Sequence, residues 1–294
     1  VLLVEAVKVA VVAHEKKRLG GDLDALRTAL ADRGVTDPIW YQVPKSKKAS
    51  KKAKQAVGSG AEVLLVWGGD GTVRRCLDAV AGSGVPIGIL PAGSANLLAA
   101  NLGIREDLEA ALETALHGSD RVLDVGVLND ERFAVMAGAG FDAVMVRDAD
   151  DRKDQLGRFA YLLSGIKALR TDRVRTTIDV DGDRWFEGRT SCVLVGNVGV
   201  ASGGLVVFPD AHPDDGELEI GVVTADGPWE WARVFVGLIR RRAARSSLVR
   251  TTRGRDFDVR FDRGLPYEVD GGDRDSANRL RIHIEPSAVA FRVP

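Results

Sequence analysis

The sequence predicts a two-domain α/β protein: a parallel-sheet α/β/α half followed by a β-rich sandwich. Three observations carry this. Through residues 1–121, short apolar runs alternate with amphipathic helical patterns, as in βα units wound into a parallel sheet. One apolar run, Val63-Leu64-Leu65-Val66-Trp67, ends in Gly68-Gly69-Asp70-Gly71-Thr72 and reopens as a helix. From residue 122 onward, short strands separated by turn pairs such as Asn129-Asp130 and Asp181-Gly182 take over.

Taken in order, the first half reads as strand Val7–Ala13, helix Asp22–Arg33, strand Pro38–Val43, helix Lys47–Val57, strand Val63–Trp67 and helix Val73–Ala81. Strand Pro86–Leu90 follows, then helices around Asn96–Asn101 and Asp107–Leu116. The second half, 122–285, reads as strands Arg121–Leu128, Arg132–Ala137, Arg175–Val180, Arg184–Arg189, Ser191–Asn197 and Glu217–Thr224. Strands Asp256–Phe261, Pro266–Val269, Arg279–Glu285 and Val289–Val293 complete it, with helices expected at Gln155–Leu169 and Pro228–Arg242. The cleft between two such domains is the natural place for a substrate.

The Gly68–Thr72 turn is the strongest chemical signal. Glycines let backbone approach a bulky anion, and N–H groups at a helix start bind phosphate. A second turn, Pro91-Ala92-Gly93-Ser94-Ala95-Asn96, follows the next strand, with Ser94 or Asn96 expected to cap the helix after it. Two turns at the C-terminal ends of neighbouring strands define a ligand crevice. A carboxylate inside a phosphate turn repels phosphate unless it serves a metal or an acceptor hydroxyl, which points to a functional Asp70. The plain alternative is a turn Asp bonding its own backbone.

These segments in sequence resemble the diacylglycerol kinase superfamily, which includes bacterial lipid kinases and sphingosine kinases. The resemblance rests on Gly68–Thr72 and Pro91–Ile104, then Val122–Gly126, Met136–Ala143, Val195-Gly196-Asn197 and Ser202-Gly203-Gly204. It closes with Pro213-Asp214-Asp215-Gly216-Glu217-Leu218 and Val269-Asp270-Gly271-Gly272, and so covers nearly the whole chain. It implies an NAD-kinase-like first domain, with residues 286–294 returning to it. It implies an ATP-dependent, Mg²⁺-requiring kinase acting on a lipid hydroxyl, diacylglycerol being the default acceptor. Gly68, Gly69, Asp70, Gly71, Thr72, Gly93, Ser94 and Asn96 would hold the nucleotide. Asp270, aided by Asp70, would take the hydroxyl's proton. A structural Mg²⁺ would be held by the Asp215 side chain and the carbonyls of His212 and Glu217, with Asp124 joining through water.

Three departures from the family pattern matter, the first being Asn96-Leu97 where the family frequently carries Asn-Asp, which is closer to the sphingosine-kinase style. Gly272 stands where the family carries Glu, and Ala13–Gly21 lacks the usual Asn-Pro-x-Ser-Gly. A sphingoid or other lipid kinase, an NAD-kinase-like enzyme and a nucleotide-binding regulator with weakened catalysis therefore remain alternatives.

Other features read more plainly. Gly138–Ala143 fits a loose G-x-G-x-x-A, but in a β-rich context it reads as a close-packed bend. The lysines at 45, 47, 48, 51, 52 and 54 read as a solvated helix face, with anionic lipid contact as the alternative. Trp229, Trp231, Val234, Phe235, Leu238 and Ile239 form an apolar stripe, favouring core packing over docking at a bilayer. A net charge of −1 gives no global field that favours nucleic acid or membrane. Cys76 and Cys192 alone make a disulfide framework or zinc site improbable and fit a reducing cytoplasm. No apolar run spans a bilayer, and Val1–Ala13, with Glu5 and Lys8, reads as a strand and not a signal peptide. The expected setting is cytoplasmic with peripheral membrane contact, and a homodimer is left open.

Overall fold

The computed structural model describes residues 7–140, 173–201, 204–240 and 246–294. The expected helix Gln155–Leu169, the Phe141–Ala143 end of the glycine bend and Ser202-Gly203 lie outside the described residues. The chain divides into two compact units, Val1–Asp124 with Pro286–Pro294, and Val125–Glu285.

The first unit is a parallel sheet of β1 (Val9–His14), β2 (Ile39–Val43), β3 (Val63–Gly68) and β4 (Ile87–Pro91) in the order β2-β1-β3-β4. Every residue of β1, β3 and β4 is buried, as expected of parallel strands covered on both faces. The helices are α1 (Leu23–Ala31), α2 (Ala49–Gly58), α3 (Asp70–Val80), α4 (Leu97–Asn101) and α5 (Leu108–His117). Asp22 and Asp107 cap α1 and α5 through their carboxylates. In α2, Ala49, Ala53 and Ala56 are buried at helical spacing and Lys51 and Lys54 are exposed, as are Lys47 and Lys48 just before it. The Lys52 ammonium sits 4.9 Å from the centre of the Tyr41 ring.

Among the described residues, the second unit is built from antiparallel strands. These are β5 (Ser119–Leu128, entering from the first unit), β6 (Glu131–Phe133), β7 (Met136–Ala139), β8 (Val174–Val180), β9 (Asp183–Thr190) and β10 (Cys192–Gly196). They continue with β11 (Leu218–Val223), β12 (Val249–Gly254), β13 (Asp256–Val269) and β14 (Gly272–Val293). The sheet runs β12-β11-β10-β7-β13-β14, with the β8–β9 hairpin on β13. Phe133, Ile178, Phe186, Ile220, Phe257 and Val259 lie in its core. A sixth helix, α6 (Gly227–Ile239), buries Trp231, Val234 and Phe235 against Cys192 and Ala225. The apolar stripe expected to be core is therefore split: Trp229 and Ile239 face solvent. Both cysteines are buried, and burial pushes each thiol far above its ordinary pKa.

Strand β12 has no counterpart in the sequence expectation, and three further strand boundaries differ from it. Asp256–Phe261 and Pro266–Val269 belong to one strand, β13, because bulges between Arg260 and Tyr267 absorb the proline. Arg279–Glu285 and Val289–Val293 are likewise one strand, β14, which leaves the second unit and lies parallel to β4 with Phe291 opposite Ile87. Its backbone is left-handed at Ser287 (φ 50°), whose N–H donates to Asp124 Oδ1 at 2.7 Å. Arg132–Ala137 is the reverse case: a predicted single strand that breaks between β6 and β7.

Candidate active site

In the first unit, β3 and β4 are paired in register, with Trp67 opposite Leu90 and Gly68 opposite Pro91. Both glycine turns therefore leave the sheet at the same, C-terminal edge. Asp70 is the first residue of α3, with Gly69 as its N-cap. Gly69 and Gly93 pack against each other: a Cβ built on Gly93 would stand 2.3 Å from Gly69 Cα and 2.6 Å from Asn96 Oδ1. A Cβ on Gly68 would meet Thr72 Cβ at 2.6 Å. Only glycine allows the two turns to touch.

The remaining residues of this edge lock the turns. Thr72 is buried, and its hydroxyl lies 2.9 Å from that of Ser46, a contact with no local sequence signal. Asn96 is left-handed (φ 47°) and 3% exposed, with its amide turned back beneath the loop. Its Oδ1 accepts from Gly93 N at 2.9 Å, and its Nδ2 donates to the Pro91 and Gly93 carbonyls and to Glu106. Neither Ser94 nor Asn96 caps α4 by side chain, contrary to expectation. The cap comes from Asp70, whose Oδ1 accepts from Leu98 N at 3.1 Å. Asp70 thus ties the first turn to the helix of the second. Ser94 is exposed beside them. The atypical loop after β1 is anchored by Trp67, whose indole N–H donates to the Lys17 carbonyl at 3.2 Å.

Gly93→Ala is expected to lower the melting temperature and to weaken nucleotide binding more than tenfold, because backbone must move apart to admit the methyl group. Isothermal titration with a nucleotide checks it, and wild-type affinity would contradict the close approach.

In the second unit, Asp270 and Gly271 (φ 45° and 70°) form the two-residue turn between β13 and β14, with Val269 opposite Gly272. Asp270 is a hairpin residue, and it also reaches across the sheet. Its carboxylate accepts from the backbone N–H groups of Ala134 (2.9 Å), Val135 (3.0 Å) and Met136 (3.1 Å), and its own N–H donates to the Met136 carbonyl. This explains the break between β6 and β7: the ladder is interrupted there to embrace a side chain. Gly272 lies under Arg274, whose Nη1 donates to the Gly272 carbonyl at 2.9 Å and whose guanidinium pairs with Glu131. A Cβ at 272 would stand 3.0 Å from that Nη1. Asp273 sits across the hairpin from Glu268.

Sequence reading passed over Glu268. Its Oε2 is buried without a hydrogen-bond partner. Burial, then Asp273 and Asp270, push its pKa up to about 7 from an ordinary 4.5. The folded state therefore binds more protons than the unfolded chain between those values. Stability from this group falls as pH rises from about 4.5 to about 7, then levels. Glu268→Gln is expected to remove that slope and to be the more stable protein at pH 8, by on the order of 3 kcal/mol at most. Urea titrations at several pH values measure it, and parallel pH profiles for the two proteins would refute it.

The acidic turn before β11 is the third group. Asp215 Oδ1 accepts from Glu217 N at 3.1 Å, and Oδ2 pairs with Arg253, which also approaches Glu217 at 3.3 Å. His212 is exposed. Glu219, absent from the sequence-based set, is 5% exposed, and its Oε1 is buried with no partner. Burial, followed by Asp210, raises its pKa, and Asp215 adds to this. Among the described residues no three His, Cys, Asp or Glu side chains converge as a metal cage. Mg²⁺ commonly takes only one or two carboxylates, keeping carbonyl and water ligands besides. An orphaned buried carboxylate oxygen among acidic neighbours fits such an ion. Asp124 belongs to the first unit, where it holds Ser287.

Comparison with known proteins adds to this geometry. The diacylglycerol kinase catalytic domain model matches residues 11–128, and the YegS C-terminal NAD kinase beta sandwich-like domain matches residues 135–293. A relative named "Probable lipid kinase YegS-like" from Enterobacter sp. (strain 638) is 29% identical over 275 residues, covering 91% of this chain and 89% of its own. A diacylglycerol kinase from Mycobacterium tuberculosis is 28% identical over 245 residues, covering 81% and 78%. The crystal structure of a diacylglycerol kinase from Bacillus anthracis str. Sterne aligns with TM-score 0.76 at 20% identity, covering 98% of this chain and 97% of that one, a likeness of fold.

Proposed function

Because the chain belongs to the diacylglycerol kinase family and is a phosphotransferase of its lipid-kinase class, we propose that it transfers the γ-phosphoryl group of ATP to the hydroxyl of diacylglycerol. The observation that carries the nucleotide half of this reading is the touching pair of glycine turns at the ends of β3 and β4. Their backbone can come close to a polyphosphate, and the N-terminus of α3 supplies N–H groups and a favourable dipole. In the reaction, the acceptor hydroxyl oxygen bonds to the γ-phosphorus and the bond to the bridging β–γ oxygen breaks. ADP leaves, and the hydroxyl proton passes to a carboxylate. We assign that proton to Asp270, which three backbone donors hold in one orientation. Asp70 keeps the two turns together and lends its charge at their edge.

Mg²⁺ would be held through Asp215 and the carbonyls of His212 and Glu217, with Glu219 adding a buried carboxylate. When bound there it would supply charge that ties the turn to β11. Wild type is expected to melt higher with Mg²⁺, because the ion binds only the folded form. Glu219→Gln should melt higher than wild type without Mg²⁺, having lost a buried charge, and Asp215→Ala should lose most of the Mg²⁺ shift. Calorimetry with and without Mg²⁺ decides this, and an identical shift in Asp215→Ala would end the assignment.

Incubation with γ-labelled ATP and a panel of diacylglycerol, sphingosine, ceramide and NAD tests the whole reading. Label is expected on diacylglycerol. Label on another acceptor moves the substrate assignment. ATP binding without any labelled product favours the weakened-catalysis reading, for which Gly272 beneath Arg274 is the specific observation.

A further inference from the structure

Helix α6 is apolar on two opposite faces. One face, with Trp231, Val234 and Phe235, is buried in the second unit. The other carries Trp229 (84% exposed) and Val236 (46%), with Ile239 (44%) exposed on the flank between the two faces. Positions 229, 233, 236 and 240 follow the helical period, so Arg233 and Arg240 share this outer stripe with Trp229 and Val236. Together with Gly237 and Ser246 these side chains line a groove of about 410 Å³. Among the described residues neither Arg233 nor Arg240 makes an ion pair, and both are exposed. The acidic residues nearby are engaged elsewhere: Glu230 accepts from Asp226 N, and Asp226 pairs with Arg173.

A core-facing helix normally turns polar residues outward. Here an exposed indole and an exposed valine are interleaved with two exposed guanidinium groups. Tryptophan prefers the headgroup level of a bilayer, and exposed basic groups beside apolar ones suit anionic lipid. We propose that the outer face of α6 docks the protein on an anionic bilayer, with Trp229 at headgroup level and Arg233 and Arg240 against lipid phosphates. The proposal rests on the lipid-kinase reading for its purpose. A protein partner is disfavoured because the stripe is narrow and its only charges are positive.

The test uses vesicles of phosphatidylcholine with and without phosphatidylserine, in the absence of ATP. Flotation with the anionic vesicles is expected, weakened by salt. Arg233→Glu and Arg240→Glu should each lower vesicle affinity by at least about fivefold, the worth of one basic residue near such a surface. Trp229→Ala should lower it further. Of the five tryptophans, Trp229 should carry the fluorescence blue shift on vesicle addition, lost in Trp229→Phe. Wild-type flotation by the variant that combines Trp229→Ala, Arg233→Glu and Arg240→Glu, with melting unchanged, would overturn the proposal. So would light scattering that shows a wild-type dimer and a Trp229→Ala monomer, because a second copy would then cover the face. Phosphorylation of diacylglycerol in detergent micelles separates the two readings. Micellar turnover without vesicle binding sinks the docking surface alone. Vesicle binding that depends on Trp229, without labelled diacylglycerol, upholds the surface and sinks the diacylglycerol assignment.

Discussion

Asp270→Asn is expected to lose turnover by ~10²–10⁴-fold, the usual worth of a positioned proton acceptor. It is also expected to lose stability. Both oxygens of the carboxylate accept backbone N–H groups, one from Ala134 and two from Val135 and Met136. An amide must aim its own N–H₂ at one of those donors. Leaving a buried donor unmatched costs about 1–3 kcal/mol, and Ala134 and Val135 are 3% and 2% exposed. The substitution that looks isosteric in sequence is therefore not silent in the fold. Turnover must be measured well below the variant's melting temperature, with circular dichroism alongside. Asp273→Asn is the companion, because Asp273 sits on the same hairpin without the three backbone contacts. Turnover that survives in folded Asp270→Asn and fails in Asp273→Asn moves the base along the loop. If both variants turn over normally, Asp70 becomes the leading carboxylate.

Asp70 calls for two substitutions, which separate the cap it provides from the charge the proposal assigns to it. Asp70→Asn keeps an oxygen for Leu98 N and removes the charge. It should melt close to wild type while lipid phosphorylation falls by at least ~10²-fold. Asp70→Ala also removes the cap on α4, worth about 1 kcal/mol, and should lose both stability and turnover. Nucleotide binding measured in parallel separates a lost ligand contact from a displaced turn. Near-normal phosphorylation in Asp70→Asn would reduce Asp70 to a capping residue.

The strand–turn–helix units of the first half were legible because their signals are local. Val63–Trp67 is uninterrupted apolar sequence, and the glycine pair after it ends the strand at Gly68 and opens a helix at Gly69. Asp22 and Asp107 sit where a capping carboxylate is needed. The Asp-Gly and Asn-Asp pairs form two-residue hairpins with left-handed backbone, as their chemistry demands. The strand breaks were less legible. Arg132–Ala137 reads as one β run, and what interrupts it lies more than 130 residues away in Asp270. Pro266 reads as the start of a separate strand, yet β13 passes it on a bulge.

The order of motifs by itself determined the parallel α/β first half, the β-rich second half and the kinase family, because backbone-compatible residues and glycine spacing act over a few positions. Tertiary structure alone decided what individual polar groups do. Asp70 caps a helix from another turn, Asn96 spends its amide beneath its own loop, and Gly69 must be glycine because Gly93 lies against it. Glu268 and Glu219 carry no motif. Their raised pKa values come from burial and from carboxylates that folding brings beside them. Charge interactions and desolvation depend on distances through space, and those exist only once the chain has folded.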